Sequence, residues 1–155
     1  MPMVPFYTRF RDLAFREMRS ATVRDWPGLP DGEYGFLESY CDEKGCDCRR
    51  VIINVIPANA PNKILATINY GWEEQAFYVR WMRDPELARE CKGPVLDPLN
   101  PQSQYAPALL RLFETVLQDE AYVRRLARHY ALFKGTGRRR EAASGRKARR
   151  PRRRR

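Results

Sequence analysis

Residues 40–50 read Tyr40-Cys41-Asp42-Glu43-Lys44-Gly45-Cys46-Asp47-Cys48-Arg49-Arg50. They hold three of the four cysteines of the chain, in the spacing C-x4-C-x-C. Gly45 can adopt the positive φ that turns a chain back, and Cys46 and Cys48 would point to the same side of an extended segment. A zinc ion needs sulfurs that converge to within about 2.3 Å of it, which this spacing allows. The pattern predicts a zinc-binding loop with Cys41, Cys46 and Cys48 as ligands.

The sequence leaves other uses of the cysteines open. Four cysteines could form two disulfides or one redox-active pair, and they could also be thiols that bind no metal. Disulfides require an oxidising compartment, but residues 1–10 contain two prolines and polar residues instead of the apolar core of a leader peptide. We therefore predict a cytoplasmic protein with a structural zinc. The carboxylates of Asp42, Glu43 and Asp47 are expected to be solvated, because three thiolates favour zinc over magnesium or calcium.

A closed structural zinc site takes four protein ligands, so the fourth must come from outside this loop. The candidates with soft donor atoms are Cys91 and His129. Cys91 closes a predicted short helix just before Gly93-Pro94, and a helix end next to a turn can bring its sulfur to the zinc loop. We predict Cys91 as the fourth ligand; the alternatives are an ordinary buried thiol at Cys91, ligation by His129, or a water or carboxylate ligand. His129, at the margin of an apolar helix face, is expected to be a half-buried packing residue with one hydrogen bond.

The positive charge of the chain is concentrated at its end. The chain has 155 residues and a formal net charge of +10 at pH 7, and residues 134–155 carry 12 of the 29 Lys and Arg with a single acid, Glu141. That segment has a net charge of +11, which leaves −1 for the rest of the chain. A segment so rich in charge, Gly, Ser and Pro cannot bury a core. We predict a folded zinc-stabilised domain over residues 4–133 and a disordered arginine-rich tail over residues 134–155.

This tail favours a polyanionic partner. Lys and Arg neutralise phosphates without reading base edges, so we predict contact with nucleic acid without strong sequence preference, with DNA and RNA both open. A solubilising extension is the alternative. The predicted contact residues are Arg138, Arg139, Arg140, Arg146, Lys147, Arg149, Arg150, Arg152, Arg153, Arg154 and Arg155.

Residue patterns before the tail predict an α+β fold. Apolar residues at helical spacing predict an amphipathic helix over Val4 to Arg19. Alternating or continuous apolar residues predict four strands with short turns, over residues 33–40, 51–56, 63–70 and 75–82. The first two strands would form a hairpin with the zinc loop at its tip. Asp84-Pro85 predicts the start of a short helix over residues 86–91.

Two further helices are predicted near the end of the folded part. The first should begin near Ser103 or Tyr105, because Pro107 fits only in a first turn. The second should be capped by Asp119. The expected architecture is a four-stranded, mainly antiparallel sheet with one N-terminal helix and two C-terminal helices packed on it.

A set of short segments forms a further pattern. The segments are Phe6-Tyr7-Thr8-Arg9-Phe10-Arg11-Asp12-Leu13, Leu29-Pro30-Asp31-Gly32-Glu33-Tyr34, Cys41 to Arg50, Ile68-Asn69-Tyr70-Gly71-Trp72, Leu96-Asp97-Pro98-Leu99-Asn100 and His129-Tyr130-Ala131-Leu132-Phe133. Over most of residues 6–133 they resemble the N-terminal body of SEC-C motif-containing proteins, an uncharacterised bacterial family. The resemblance implies a bacterial cytosolic protein. The SEC-C motif itself is absent, since Cys46-Asp47-Cys48 matches only its C-x-C half. The resemblance therefore implies none of the partners of the SEC-C motif for this chain.

Common catalytic motifs are also absent from the sequence. It contains one histidine, no Gly-rich phosphate loop, no G-x-S-x-G and no H-E-x-x-H. A dyad of His129 with Cys48 or Cys91 is a weaker alternative. No apolar run approaches the roughly 18 residues of a membrane span, so no membrane partner is expected.

The sequence therefore predicts a zinc-stabilised binding module whose basic tail contacts nucleic acid. Two other classes of function stay open. One is a metalloenzyme in which three thiolates leave an open position on the zinc. The other is an adaptor that docks a protein partner through the zinc loop.

Overall fold

A six-stranded antiparallel sheet forms the centre of the fold. In this computed structural model, which describes the backbone of residues 2–147 and the side chains of residues 2–136, the sheet order is β1-β3-β4-β5-β6, and β2 also pairs with β3. The strands are β1 (Met3–Pro5), β2 (Arg19–Val23), β3 (Gly32–Cys41), β4 (Arg50–Pro57), β5 (Ala66–Gly71) and β6 (Val95–Leu96).

Five α-helices accompany the sheet within residues 2–147, and a 3-10 turn follows β1. The helices are α1 (Arg11–Glu17), α2 (Gln75–Met82), α3 (Pro85–Lys92), α4 (Ala106–Val116) and α5 (Glu120–Lys147). As predicted, Asp84 caps α3, because its Oδ1 accepts from the backbone N–H of Glu86 at 2.8 Å. Asp119 caps α5 in the same way, accepting from the N–H of Ala121 at 3.1 Å. None of these helices is both long enough and apolar enough to span a bilayer.

The main core lies between one face of the sheet and helices α4 and α5. Alternate residues of a strand share a face, and Glu38, Ile53 and Ile68 are aligned across β3, β4 and β5 on the face toward these helices. The helices contribute fully buried side chains to this core, among them Phe113, Tyr122, Leu126 and Phe133. Burial of such side chains is worth about 2 kcal/mol each, so this layer contributes strongly to the stability of the fold.

The α+β class and the antiparallel sheet are confirmed, but the sheet has six strands instead of four. The predicted helix over Val4 to Arg19 is wrong in its extent, because only residues 11–17 are α-helical. Met3–Pro5 and Arg19–Val23 both pair with the ten-residue strand β3. Pro5 is tolerated in β1 because an edge strand does not need every backbone N–H to donate to a neighbouring strand. Pairing with β3 satisfies backbone groups that would otherwise be left without partners.

The predicted strand over residues 75–82 is also wrong, because this segment is helix α2. Tyr78 anchors this helix, because it is fully buried and donates its hydroxyl hydrogen to the carbonyl of Arg49 at 2.8 Å. The ring reaches this position by passing over Gly71, where any Cβ would collide with the Tyr78 hydroxyl. Such tertiary contacts lie outside what the local alternating pattern can indicate.

Helix α5 continues to Lys147, so the backbone of residues 134–147 is helical where the sequence predicts a disordered tail. The segment from Arg138 to Ala143 consists of Arg, Glu and Ala, all strong helix formers, and α5 supplies a preformed turn to extend. The division of the chain into a domain over 4–133 and a tail over 134–155 stays a prediction. Residues 148–155 lie outside the described residues.

Candidate metal centre

The cysteine loop connects β3 to β4, as predicted. Strand β3 ends at Cys41 and β4 begins at Arg50, and the two strands are antiparallel neighbours. Gly45 adopts a φ of 72°, a conformation that glycine takes without strain. The backbone N–H of Cys46 donates to the carbonyl of Glu43 at 3.3 Å, which closes the turn. The loop therefore reverses at Gly45 and returns the later cysteines toward Cys41.

The sulfur atoms of Cys41, Cys46 and Cys48 lie within 4.8 Å of one another. A tetrahedral zinc site with Zn–S bonds of about 2.3 Å has sulfur–sulfur separations of about 3.8 Å, so little movement is needed to reach it. None of the four cysteines is in a disulfide. Cys41 and Cys48 are buried, whereas Cys46 is partly exposed. The three cysteines are close enough to hold a metal ion.

Backbone amides are placed to stabilise thiolates at this site. The N–H of Glu43 donates to the Cys41 sulfur at 3.4 Å. The backbone N–H of Arg50 makes the equivalent hydrogen bond to the Cys48 sulfur. Each donor is two residues after its cysteine, so the loop repeats one local geometry. Such second-layer hydrogen bonds orient ligands and favour their charged form.

Without a cation, these thiols resist joint ionisation. Burial raises the pKa of Cys48 to about 12, and repulsion from Cys46 and Cys41 adds to the effect. Burial also raises the pKa of Cys46, together with a hydrogen bond and repulsion from Cys41. A bound divalent cation reverses this balance, because it deprotonates a coordinating thiol outright. The donor set therefore fits a thiophilic metal such as zinc.

A cleft of about 960 Å3 separates the exposed side of the loop from helix α5. Cys46 lies in its wall together with Trp72 and Tyr130. The cleft has equal numbers of basic and acidic side chains, so its charges balance. These side chains are Arg9, Lys44, Arg49, Lys134, Asp42, Glu43, Asp47 and Glu73.

The loop is bound to α5 across one end of this cleft. The Tyr130 hydroxyl donates to Oδ1 of Asp47 at 3.2 Å. The Lys134 ammonium donates to the carbonyl of Glu43 at 3.1 Å. These contacts hold the loop against the last turns of α5 before its arginine-rich part.

Arg9 adds a third connection between the loop and α5. It pairs with Asp42 in the loop. Its Nη1 also donates to the carbonyl of Phe133 at 3.1 Å, and its guanidinium lies 3.9 Å from the centre of the Phe133 ring. Three side chains therefore join the loop and the helix.

Cys91, the predicted fourth ligand, is not part of the cysteine group. It lies on α3, where its carbonyl accepts from Nε of Arg50 at 2.9 Å. Cys91 and Cys48 line the same cavity of about 460 Å3. The structure thus brings three predicted ligands together and leaves Cys91 outside them.

His129 takes part in a buried network that the sequence did not reveal. Its Nδ1 lies 2.7 Å from Oε2 of Glu38, and its Nε2 lies 3.0 Å from Oε2 of Glu17. The side chain is 1% exposed and stacks on Phe6 at 4.3 Å between ring centres. The expectation of a half-buried residue with one hydrogen bond is therefore wrong. Each ring nitrogen of His129 therefore has a carboxylate oxygen within hydrogen-bonding distance.

One sequence signal could have indicated this network. Glu38 lies between Phe36 and Tyr40 on the core face of β3. A carboxyl group among buried aromatic residues needs a hydrogen-bond partner. The partner lies 91 residues away, so local patterns do not identify it.

The predicted nucleic-acid contacts fall at the end of the chain. Arg138, Arg139, Arg140, Arg146 and Lys147 belong to the helical backbone of α5. The other predicted contacts lie outside the described residues; they are Arg149, Arg150, Arg152, Arg153, Arg154 and Arg155.

Comparisons with protein-family models, curated proteins and solved structures found no match for this chain. The resemblance to SEC-C proteins stays a prediction. Any proposal about function therefore depends on the geometry of the site.

Proposed function

We propose that the chain is a zinc-stabilised binding module in which the cysteine loop fixes the base of a basic helix that contacts nucleic acid. The observation that supports this proposal is the set of contacts between the loop and α5. Asp47 accepts from Tyr130 and Glu43 accepts from Lys134, at 3.2 and 3.1 Å. The arginine-rich segment begins at Arg138, one helical turn after Lys134.

The zinc has a structural role in this proposal. Residues 42–47 of the loop are mostly exposed and offer few apolar side chains for burial. A loop of this kind gains its free energy of folding from the metal, since the ligand set assembles only in the folded state. The metal would hold Asp47 and Glu43 in position to bind α5.

The positive charge of the helix end favours a polyanion. Residues 134–155 carry a net charge of +11, while the rest of the chain carries −1 and the cleft beside the loop is balanced. Binding would therefore depend on this end of the chain. Because Lys and Arg contact phosphates and not base edges, affinity should depend strongly on salt and weakly on sequence.

A metalloenzyme is the second candidate, and one observation favours it. The partly exposed Cys46 lies in the wall of a 960 Å3 cleft, and only three sulfurs form the group. Catalytic zinc sites have three protein ligands and a water. The absorption spectrum of the cobalt-substituted protein distinguishes a structural from a catalytic metal. It reports whether the fourth ligand is a protein side chain, as in a structural site, or an exchangeable water, as in a catalytic one.

The nucleic-acid proposal can be tested with charge variants of the full chain. The test variant is Arg138→Gln, Arg139→Gln and Arg140→Gln together. The matched control removes the same charge from exposed positions elsewhere, by Arg24→Gln, Arg83→Gln and Arg89→Gln together. Fluorescence anisotropy with a labelled oligonucleotide should show about a tenfold loss of affinity for the first and little change for the second. Equal losses in the two variants would contradict a binding site at the end of α5.

A further inference from the structure

A second cavity, of about 460 Å3, lies on the sheet face opposite the main core. Its wall includes Arg50 and Ile52 from β4, Val95 from β6, and Leu87 from α3. This size falls within the usual range for pockets that bind small molecules. The cavity is separate from the cleft beside Cys46 and from the His129 network.

Opposite charges line this cavity without forming ion pairs. Arg50 uses Nε to donate to the carbonyl of Cys91 at 2.9 Å. In the part of the chain that the structure describes, no acidic group lies within 4.0 Å of its guanidinium nitrogens, and no basic group lies within 4.0 Å of the Glu90 carboxylate. Arg50 and Glu90 thus line one cavity without an ion pair between them.

Asp97 adds a second negative charge to the wall. Burial raises the pKa of its carboxyl, but hydrogen bonds from Asn100, Asn69 and the backbone of Leu99 more than offset this, so the pKa is lowered. The carboxylate is therefore ionised at neutral pH. It is 6% exposed and still contributes to the lining of the cavity.

The rim of the cavity is apolar. Leu87 is 45% exposed and Leu99 is 90% exposed, and both line the cavity. A large apolar side chain as exposed as Leu99 gains free energy when an apolar partner covers it. The cavity therefore offers a cation, two carboxylates and an uncovered apolar surface.

We propose that this cavity binds a free α-amino acid with an apolar side chain. The ligand carboxylate would take the Nη donors of Arg50, which suit the two oxygens of a carboxylate. The ligand ammonium would lie toward Glu90, with Asp97 adding attraction, and the side chain would cover Leu87 and Leu99. A zwitterion satisfies both unpaired charges at once, whereas an anion or a cation alone satisfies one. This proposal does not rest on the proposed nucleic-acid function.

The test is an NMR titration of the full 15N-labelled chain with leucine and three analogues. Leucinamide lacks the carboxylate, N-acetyl-leucine lacks the ammonium, and glycine lacks the apolar side chain. Leucine should bind saturably with a Kd of about 1 mM or below, as expected for a ligand of this size. Each analogue should bind at least about tenfold more weakly, because it leaves one feature of the cavity unused. No saturable binding of leucine, or equal binding of N-acetyl-leucine, would overturn the proposal.

Variants of the cavity separate binding from folding. Glu90→Gln changes an exposed side chain and should weaken leucine binding about tenfold without loss of the native spectrum. Arg50→Gln should weaken it at least as much. The matched control is Glu86→Gln, on the same helix but outside the cavity lining, which should leave the Kd unchanged. If Arg50→Gln does not fold, the test depends on Glu90→Gln alone. An unchanged Kd for leucine in that variant would overturn the proposed amino-acid site.

Discussion

The Nδ1 atom of His129 lies 2.7 Å from Oε2 of Glu38, between helix α5 and strand β3. The same carboxylate oxygen accepts the hydroxyl hydrogen of Tyr40 at 2.6 Å. One buried oxygen of Glu38 thus has two hydrogen-bonding partners. Because a buried polar group that loses its partner destabilises the folded state, removal of either partner should lower the stability of the domain.

The first prediction concerns His129→Phe. The phenyl ring can keep the stacking on Phe6 but has no ring nitrogen, so the buried Glu38 side chain would lose its contact with Nδ1 and Glu17 its contact with Nε2. We expect a decrease of about 2 kcal/mol in the free energy of unfolding, measured by urea denaturation, because a buried polar group is left without a hydrogen-bond partner. The control is Glu120→Gln, which removes an exposed ion pair with Arg124 and should change stability by less than about 1 kcal/mol. Similar effects in both variants would contradict the role of the network.

The second prediction concerns acid stability. Burial raises the pKa of Glu17, but the hydrogen bond to His129 and the charges of Arg128 and Arg125 lower it below 4.5 overall. The unfolded chain therefore binds more protons than the native state in this pH range, and the stability contributed by Glu17 is lost as pH falls. Glu17→Gln should make the decrease in stability between about pH 5 and pH 3 shallower. Urea denaturation at several pH values measures this pH dependence of stability. Parallel stability–pH curves for the variant and the parent would contradict the prediction.

The third prediction concerns the metal. Freshly purified protein should contain about one zinc per chain, and a chelator should lower its melting temperature. Cys48→Ser should lose the zinc, because it removes a buried member of the cysteine group. Cys91→Ser is the matched control: its thiol is also buried but lies outside the group, so zinc should be retained.

Two outcomes would change this view of the metal. Loss of zinc from Cys91→Ser would make Cys91 the fourth ligand and would require α3 to move toward the loop. Unchanged thermal stability in chelator, with no metal bound, would mean that the cysteines are not a metal site. Metal analysis by mass spectrometry, paired with thermal melts, measures both.

The fourth prediction concerns the salt dependence of nucleic-acid binding. For a single-stranded oligonucleotide, the logarithm of the binding constant should fall with the logarithm of salt concentration by about 0.7 for each phosphate neutralised. Replacing Arg138, Arg139 and Arg140 with Gln should reduce that slope by about two. Oligonucleotides of equal length and different sequence should bind within about twofold of one another. A slope unchanged by the substitutions, or a strong sequence preference, would contradict phosphate contacts by this helix.

Features set by neighbouring residues could be predicted from the sequence. The cysteine spacing and Gly45 predict the cysteine loop, because both are local features of the sequence. The caps at Asp84 and Asp119 were predicted because an acidic residue before a helix accepts the first free N–H groups. Tyr34, Phe36 and Tyr40 stand at alternate positions and so predict β3, because this pattern is also local.

Features that depend on distant parts of the chain could not be predicted. Residues 75–82 have spacing compatible with a strand, but they form a helix whose Tyr78 is buried and hydrogen-bonded to Arg49, 29 residues away in sequence. Residues 3–5 become a strand because β3 presents an edge to them, which their own pattern does not show. The carboxylates at His129 lie 91 and 112 residues away in sequence. Cys91 has the right chemistry for zinc and lines one cavity with Cys48, but its helix leaves it outside the group of three cysteines.

The position of Tyr78 over Gly71 has an evolutionary consequence. No side chain fits at position 71 while the tyrosine ring occupies that space, so neither position is free to change by itself. A lineage that acquires alanine at position 71 must first, or at the same time, replace Tyr78 with a smaller residue, and it then gives up the hydrogen bond to Arg49. Natural descendants of this sequence should therefore show correlated replacement at positions 71 and 78.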